Sequence, residues 1–172
     1  MLWLYVIGSF IVLIGISAFF GAPYVPSRRR DVKHMFNELI PLSPDDVVLD
    51  LGSGDGVVLR EVSRRGARAV GYEIHPLFVW VSKALSLNDE LVTVRWANAW
   101  TAAFPSDVTV VYIFSVGRDA DKLARKMQRE ADVLDRSIQL VCYGNPLPGV
   151  TPTRTYEAYT LYIFHPLHRN KA

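Results

Sequence analysis

The sequence predicts an α/β fold built on a mostly parallel sheet. From Val47 onwards, short apolar segments alternate with segments of helical periodicity, a pattern typical of consecutive βαβ units. The first predicted strand runs directly into a glycine-rich loop, and the second ends in an acidic residue, Glu73. Together these observations predict a Rossmann-like sheet that binds a ligand at the carboxyl ends of its strands.

Seven strands follow from this pattern. Six are predicted near residues 47–51, 68–73, 92–97, 108–114, 137–143 and 158–164, and a short one near 151–156 is expected to pair with the last strand as an antiparallel hairpin. Helices are predicted near residues 57–65, 76–87 and 118–131. In the last of these helices, Leu123 and Met127 are expected to cover the sheet, with the charged side chains elsewhere.

An apolar segment precedes the α/β region. Residues 2–20 carry no charge, and as a helix they would span roughly 28 Å, close to a hydrocarbon core of about 30 Å. We predict one transmembrane anchor at 1–21 rather than a cleaved signal peptide, because no basic residue precedes Arg28. A buried core helix is the third interpretation. Residues 22–46 are expected to form a linker and a helix capped by Ser27, and residues 47–172 the α/β domain.

The flanking charges predict the orientation of this anchor. Arg28, Arg29 and Arg30 follow it directly, and the positive-inside tendency then places the remaining domain in the cytoplasm. A prokaryotic plasma membrane is favoured because a transit segment rich in Arg and Ser is missing, and a mitochondrial inner membrane is the alternative.

The glycine loop indicates which ligand the sheet binds. Gly52, Gly54 and Gly56 allow a sharp exit from the strand and a close backbone approach to a ligand. The dinucleotide fingerprint places its third glycine one position later, where this chain has Val57, and Asp55 adds negative charge where a pyrophosphate would lie. S-adenosylmethionine carries a sulfonium and an ammonium but no phosphate, so the loop favours this cofactor over a dinucleotide.

The predicted cofactor site therefore combines the loop with the ends of the next two strands. Glu73 is expected to accept the ribose hydroxyls. The predicted cofactor-binding residues are Asp50, Gly52, Ser53, Gly54, Asp55, Gly56, Glu73 and Asn98. No metal site is predicted, since the histidines lack partners at metal-ligand spacing.

Several motifs resemble one enzyme family. They are PYVPS at 23–27, DLGSGDG at 50–56, GYEIHP at 71–76 and ANAW at 97–100, placed after an apolar start. This arrangement resembles the membrane-anchored, seven-strand lysine N-methyltransferases that modify the ATP synthase c-subunit and the adenine nucleotide translocase, and their prokaryotic relatives. The resemblance implies a class I methyltransferase fold, S-adenosylmethionine as cofactor and a lysine of a membrane protein as acceptor.

The resemblance also implies roles for single positions. Asp50, Gly52, Gly54 and Asp55 match positions that hold the methionine part of the cofactor. Glu73 matches the residue on the ribose, and Asn98 replaces an aspartate expected near the adenine amino group. The segment at 24–26 matches one that closes over the cofactor. The family often has Arg at the position of Val57 and Asn at the position of His75.

Candidate catalytic residues follow from the strand ends. Tyr24, Ser115 and Asn145 are proposed to bind the acceptor or relay its proton, with Tyr143 as a further candidate. The segment Asn-Pro-Leu-Pro at 145–148 is similar to a motif of enzymes that methylate amide or nucleobase nitrogens, but it follows the wrong strand and is interpreted as a turn. Cys142 lies in an apolar run and is predicted to be a core residue.

The leading hypothesis is thus a membrane-anchored, S-adenosylmethionine-dependent protein-lysine methyltransferase. Its expected partners are the bilayer and a membrane-protein substrate. Nucleic acid is not expected, because the net charge is only +2. Two alternatives remain open: methylation of a lipid or quinone headgroup, and a non-catalytic nucleotide-binding protein of the membrane.

Overall fold

The computed structural model describes residues 3–5, 8 and 27–167. Within these residues the helices are α1 (Arg29–Glu38), α2 (Val57–Ser63), α3 (Pro76–Leu85) and α4 (Ala120–Leu134), the last preceded by a 3₁₀ turn at Gly117–Asp119. The strands are β1 (Val47–Leu51), β2 (Arg68–Glu73), β3 (Val92–Trp96), β4 (Val110–Ser115), β5 (Ile138–Gly144), β6 (Arg154–Tyr156) and β7 (Tyr159–Phe164).

These strands form one sheet in the order β3-β2-β1-β4-β5-β7-β6. The first five are parallel, β7 runs antiparallel to β5, and β6 pairs antiparallel with β7. All seven predicted strands are confirmed, including the short hairpin strand. The chain moves outwards from β1 through β2 to β3 and then returns to β4 on the other side of β1, so the strand order reverses between β1 and β4. Sheets of this kind bind ligands in the crevice at that reversal.

Helices cover both faces of the sheet. On one face α1, α2 and α3 enclose a core with Val48, Tyr112 and Leu161. On the other face α4 and the segment after β3 enclose a second core around Leu49, Val111 and Leu140. Every residue of β1 is buried, as expected for a central parallel strand covered on both sides.

The helix boundaries differ from the predicted ones for local reasons. The helix predicted at 57–65 ends at Ser63 because the chain turns at Gly66, which has a φ of 79°. The helix predicted at 118–131 begins at Ala120 and continues to Leu134, where Asp135 adopts a left-handed conformation. The helix predicted at 76–87 ends at Leu85.

The predicted cap at Ser27 is wrong. Arg28 occupies the N-cap position of α1, and no side chain caps the helix there. The hydroxyl of Ser27 instead lies 3.3 Å from the hydroxyl of Tyr112 on β4. Residue 27 therefore holds the chain against the carboxyl half of the sheet.

No helix within the described residues combines the length and the apolar character needed to cross a membrane. The anchor predicted at 1–21 lies almost entirely outside those residues, and so does the predicted catalytic residue Tyr24. Both stay predictions.

Candidate active site

The glycine loop is shaped by left-handed backbone conformations. Gly52, Gly54 and Gly56 have φ values of 105°, 51° and 81°, which side chains other than glycine rarely adopt. The N–H groups of Gly52 and Ser53 donate to the carbonyl oxygen of Tyr72, at 2.8 and 3.1 Å, and so fasten the loop to β2. A Cβ added to Gly52 would meet no atom within 4 Å. The loop thus presents open space to a ligand at this glycine.

Glu73 joins the loop to the end of β2. One carboxylate oxygen accepts the N–H of Gly54 at 2.8 Å, and the other accepts the N–H of His75 at the same distance. The side chain is buried, with 6% of the residue exposed. A carboxylate offers about four lone-pair sites, so two remain for ribose hydroxyls. The structure therefore brings together the two motifs from which the cofactor site was predicted.

Two other loop residues, Ser53 and Gly56, pack closely against neighbouring elements. Ser53 is buried, and its hydroxyl lies against Gly71, where a Cβ would approach it to 2.5 Å. A Cβ on Gly56 would lie 2.2 Å from the hydroxyl oxygen of Ser82 on α3. The structure thus assigns Gly56 a packing role between α2 and α3, beside the cofactor role predicted for it.

Asp50 gives the site its electrostatic character. It is 3% exposed, and burial raises the pKa of its carboxyl well above the ordinary value, with further contributions from the charges of Glu73 and Asp55. The Asp55 carboxylate is itself paired with Arg60, at 3.7 Å. A buried carboxyl group with two further carboxylates near it suits a cationic ligand, which fits the sulfonium and ammonium of S-adenosylmethionine.

Asn98 begins the segment after β3 and is exposed. Its side-chain oxygen accepts the N–H of Trp100 at 2.9 Å, so one lone pair of that oxygen and the amide NH₂ remain for a ligand. The N–H of Ala97 donates to the carbonyl oxygen of Glu73 at 3.0 Å, so this segment is tied to the end of β2.

A buried ion pair fixes the same segment from the other side. Lys126 and Glu130 on α4 are 3% and 6% exposed, and their charged atoms lie 2.9 Å apart. The Lys126 ammonium also donates to the carbonyl oxygen of Ala102, at 2.8 Å, and Glu130 accepts the N–H of Phe104 at 3.1 Å. The pair therefore holds residues 97–105, which carry Asn98, against the sheet.

This ion pair differs from the prediction that the charged side chains of α4 lie away from the sheet. The signal was present: Lys126 and Glu130 are three residues after Leu123 and Met127, on the same stripe of the helix. A lysine and a glutamate four apart within an apolar stripe indicate a buried pair rather than a solvated face. The structure corrects the prediction at these two positions.

Ser115 and Asn145 come together at the ends of β4 and β5. The Asn145 side-chain NH₂ donates to the carbonyl oxygen of Ser115 at 3.0 Å, and Asn145 itself is exposed. Ser115 is only 1% exposed, so its hydroxyl does not face an acceptor directly. Of these two predicted catalytic residues, Asn145 is the one that a substrate can reach in this structure. The segment predicted as a turn at 145–148 is irregular, with the turn lying at 147–150, and the Leu147 N–H donates to the Tyr162 hydroxyl at 2.8 Å.

Aromatic rings line the same end of the sheet on the α1 side. The ring of Tyr143, a further candidate in the sequence analysis, stacks on Tyr159 at 4.7 Å and meets the edge of Phe114 at 5.6 Å. Burial raises the pKa of Tyr159, and that of Tyr112 well above its ordinary value, so both phenols stay protonated at neutral pH. This wall is suited to guide an apolar side chain rather than to supply a base.

The structure also bears on the cysteine and on possible metal ligands. Cys142 is buried in the second core, and burial raises the pKa of its thiol to about 12, against the opposing effect of the Ser115 hydroxyl. The thiol is therefore protonated at neutral pH, and its predicted role as a core residue is confirmed. Among the described residues, no group of three or more His, Cys, Asp or Glu side chains is placed to hold a metal ion.

Comparison with known families and sequences places this site in context. The family described as the ANTKMT methyltransferase domain matches residues 50–154, which include the glycine loop, Glu73 and Asn98. The ATP synthase c-subunit lysine N-methyltransferase of Xenopus laevis is 29% identical over 137 residues, or 78% of this chain and 58% of the relative. The human enzyme of that name is 27% identical, over 76% of this chain and 54% of the relative. The chain thus spans little more than half the length of these relatives.

A shorter relative and a solved structure match over nearly their whole length. A protein-lysine N-methyltransferase of Saccharolobus islandicus is 27% identical, over 83% of this chain and 92% of the relative. The crystal structure of an RNA methyltransferase from Salinibacter ruber in complex with S-adenosyl-L-homocysteine is 27% identical, with a TM-score of 0.72, over 86% of this chain and 98% of that one. These matches confirm the predicted seven-strand fold, the methyltransferase class of the domain and its cofactor, S-adenosylmethionine.

The first prediction concerns Glu73. Replacing Glu73 with Ala removes the ribose acceptor and leaves the N–H groups of Gly54 and His75 without their partner. Since a hydrogen bond to a charged group contributes about 1.5–3 kcal/mol, we expect S-adenosylhomocysteine to bind roughly ten- to a hundredfold more weakly in isothermal titration calorimetry. Glu90→Ala, which removes an exposed carboxylate, is the matched control. Equal affinities for the two variants would contradict the assignment.

The second prediction concerns the burial of Asp50. Because the pKa of this carboxyl is raised in the folded state, the folded protein binds more protons than the unfolded one between the ordinary and the raised pKa. The free energy of unfolding without ligand should therefore fall as the pH rises through that interval, by about 1.4 kcal/mol for each unit of pKa difference. Asp50→Asn should abolish this dependence in urea unfolding measured from acidic to neutral pH. Unchanged pH dependence in the variant would refute the prediction.

The third prediction concerns the buried ion pair. Lys126→Met leaves the Glu130 carboxylate buried without a cation, and we expect a loss of about 3–5 kcal/mol in the free energy of unfolding. The double change Lys126→Met and Glu130→Gln should recover much of this loss, because the neutral amide still accepts the Phe104 N–H. Lys122→Met, one turn earlier and exposed, is the control and should cost no more than about 1 kcal/mol. Urea unfolding that shows equal losses for both single variants would disprove the role of the pair.

Proposed function

This chain belongs to the ANTKMT methyltransferase domain family, and we propose that it is a protein-lysine N-methyltransferase that acts on a membrane protein. The observation that carries the proposal is the Glu73 carboxylate, which joins the glycine loop to the end of β2 beside the buried Asp50. The lysine specificity is supported by relatives from a eukaryote and an archaeon whose names both state it.

The residues present suit the cofactor on three counts. Glu73 keeps lone pairs for the ribose, Gly52 leaves open space in the loop, and the carboxyl group of Asp50 is stabilised as an anion when a cation lies near it. When bound, S-adenosylmethionine supplies an electrophilic methyl group on a sulfonium, so the protein need not activate the leaving group. Asn98 is proposed to contact the adenine through its side-chain amide, by accepting from the amino group or by donating to a ring nitrogen.

The protein must position the acceptor. The cofactor would supply the methyl group and keep the electrons of the broken S–C bond on sulfur, so the protein would have to hold a neutral lysine amine in line with that bond and give its proton a path to water. Alignment of this kind contributes much of the rate in such reactions. Asn145 and the aromatic wall of Phe114 and Tyr143 lie at the strand ends where an acceptor would approach. They are proposed to orient the amine, and Tyr24 is proposed to close the site.

The location is proposed from the sequence. Residues 2–20 are proposed to anchor the chain in a membrane, with Arg28, Arg29 and Arg30 keeping the catalytic domain on the cytoplasmic side. A prokaryotic plasma membrane is favoured, with the mitochondrial inner membrane as the alternative. The relatives named for methylation of the ATP synthase c-subunit support a membrane-protein substrate.

A second candidate is methylation of RNA. The Salinibacter ruber protein is described as an RNA methyltransferase, and it matches this chain over 98% of its own length. Against it stands the small net charge of +2, which gives little attraction to a phosphate backbone.

The proposal predicts where a labelled methyl group is found. The full chain is incubated with membranes, cytosolic RNA and tritiated S-adenosylmethionine, and the products are divided by protease, ribonuclease and organic extraction. We expect label that protease releases, a mass increase of one methyl group or more on a lysine of a membrane protein, and much less label with Glu73→Ala at a limiting cofactor concentration. Label sensitive to ribonuclease would establish the RNA activity instead, and label in the organic extract would indicate a lipid or quinone headgroup.

A further inference from the structure

Helix α3 presents an apolar face to solvent. Its inner side packs against the sheet through Val79 and Ser82, which are almost fully buried. Its outer side is apolar as well: Leu77 is 56% exposed, Trp80 76% and Leu85 56%. Since a solvent-facing helix normally carries polar residues on its outer side, this stripe indicates a surface that is covered in the working protein.

The apolar stripe continues onto the edge of the sheet. Trp96, the last residue of β3, is 70% exposed, and Ile74, just after β2, is 47% exposed. A groove of about 220 Å³ lies between the two tryptophans, and Lys83 lines it. We call Ile74, Leu77, Trp80, Leu85 and Trp96 the tryptophan face.

We propose that the tryptophan face rests on the surface of a phospholipid bilayer, an inference that depends on the membrane anchor of the proposed function. Tryptophan is enriched at the boundary between headgroups and acyl chains, because an indole ring combines a large apolar area with one polar N–H group. The N–H of Trp96 already donates to the carbonyl oxygen of Ile74 at 2.9 Å. Its ring can therefore leave water without losing that hydrogen bond.

The positive charge of Lys83 beside the groove also suits a phospholipid bilayer. Lys83 is exposed and provides an ammonium next to the tryptophan rings, a combination that matches lipid phosphate above an apolar layer. A long lysine side chain can lie along the apolar groove while its charged end reaches the headgroups.

The position of the tryptophan face agrees with the path of the chain. Ser27 lies against Tyr112 of β4, and β4 is separated from β3 by three strand spacings, or roughly 14 Å. The six residues at 21–26 span at most about 20 Å when fully extended. An anchor formed by residues 2–20 thus enters the bilayer within about 20 Å of Ser27, a reach longer than the separation of β4 from β3.

Contact between the bilayer and the tryptophan face would determine which lysines reach the cofactor site. Glu73 immediately precedes Ile74, so the cofactor site and the tryptophan face share one edge of the sheet. A bilayer against that face brings the site to the level of the lipid headgroups. The acceptors favoured are then lysines that a membrane protein exposes near its headgroup boundary, rather than lysines on distant soluble domains.

Tryptophan fluorescence in vesicles tests the proposal. Two versions of the full chain are compared, each with a single tryptophan: one keeps only Trp80, and the other keeps only Trp100, which lies on the opposite face beneath Lys122. The other tryptophans are changed to Phe, and cofactor binding verifies that each version is folded. Both are incorporated into vesicles of phosphatidylcholine and phosphatidylglycerol, with and without lipids brominated near the headgroup.

We expect bromine to reduce the emission of Trp80 by about half or more and that of Trp100 much less, since interfacial side chains enter roughly 5–10 Å into the headgroup boundary. If the protein floats with the vesicles but Trp80 and Trp100 are quenched equally, the tryptophan face does not touch lipid, while the anchor stands. If Trp80 escapes bromine yet is shielded from acrylamide, a protein segment or a second copy covers it, which also overturns the proposal. Failure to float would refute the anchor itself.

Discussion

The site depends on one carboxylate held by two backbone N–H groups. Glu73 accepts from Gly54 on one oxygen and from His75 on the other, so a single side chain fixes both the glycine loop and the start of the turn into α3. The N–H of Ala97 donates to the carbonyl oxygen of the same residue and extends the connection to the segment after β3. The glycine loop after β1, the turn after β2 and the segment after β3 are therefore all fastened to Glu73. This residue is the last one of the buried strand β2.

The contacts of Glu73 bring three carboxyl groups together around the glycine loop, where little water can solvate them. Asp50 is buried beneath the loop, and its raised pKa reflects desolvation together with the charges of Glu73 and Asp55. Arg60 neutralises only the outer member of the three. The loop thus holds unfavourable electrostatic energy that a cationic ligand relieves.

The parts of the fold that were predicted correctly are those specified by local sequence. Most strands are short apolar runs followed by a turn signal, and the spacing between the glycine loop and Glu73 can be read from the sequence without knowledge of tertiary contacts. The features that were missed arise from contacts between distant segments. The Lys126–Glu130 pair is buried because residues 97–105 fold over it, and Gly56 is small because Ser82 approaches it from another helix. Ser27 was expected to cap a helix, but it meets a tyrosine 85 positions away.

The main-chain nature of the Glu73 contacts has a consequence for sequence divergence. Position 75 contributes its N–H, and the imidazole of His75 takes no part in that contact. The substitution of His for the asparagine common in the resembling family therefore leaves the anchoring geometry intact, since every residue except proline supplies the same donor. The side chain at position 75, at the start of α3, can therefore change during evolution while the backbone contact with Glu73 is kept. Such changes adapt the surroundings of the cofactor to different acceptors.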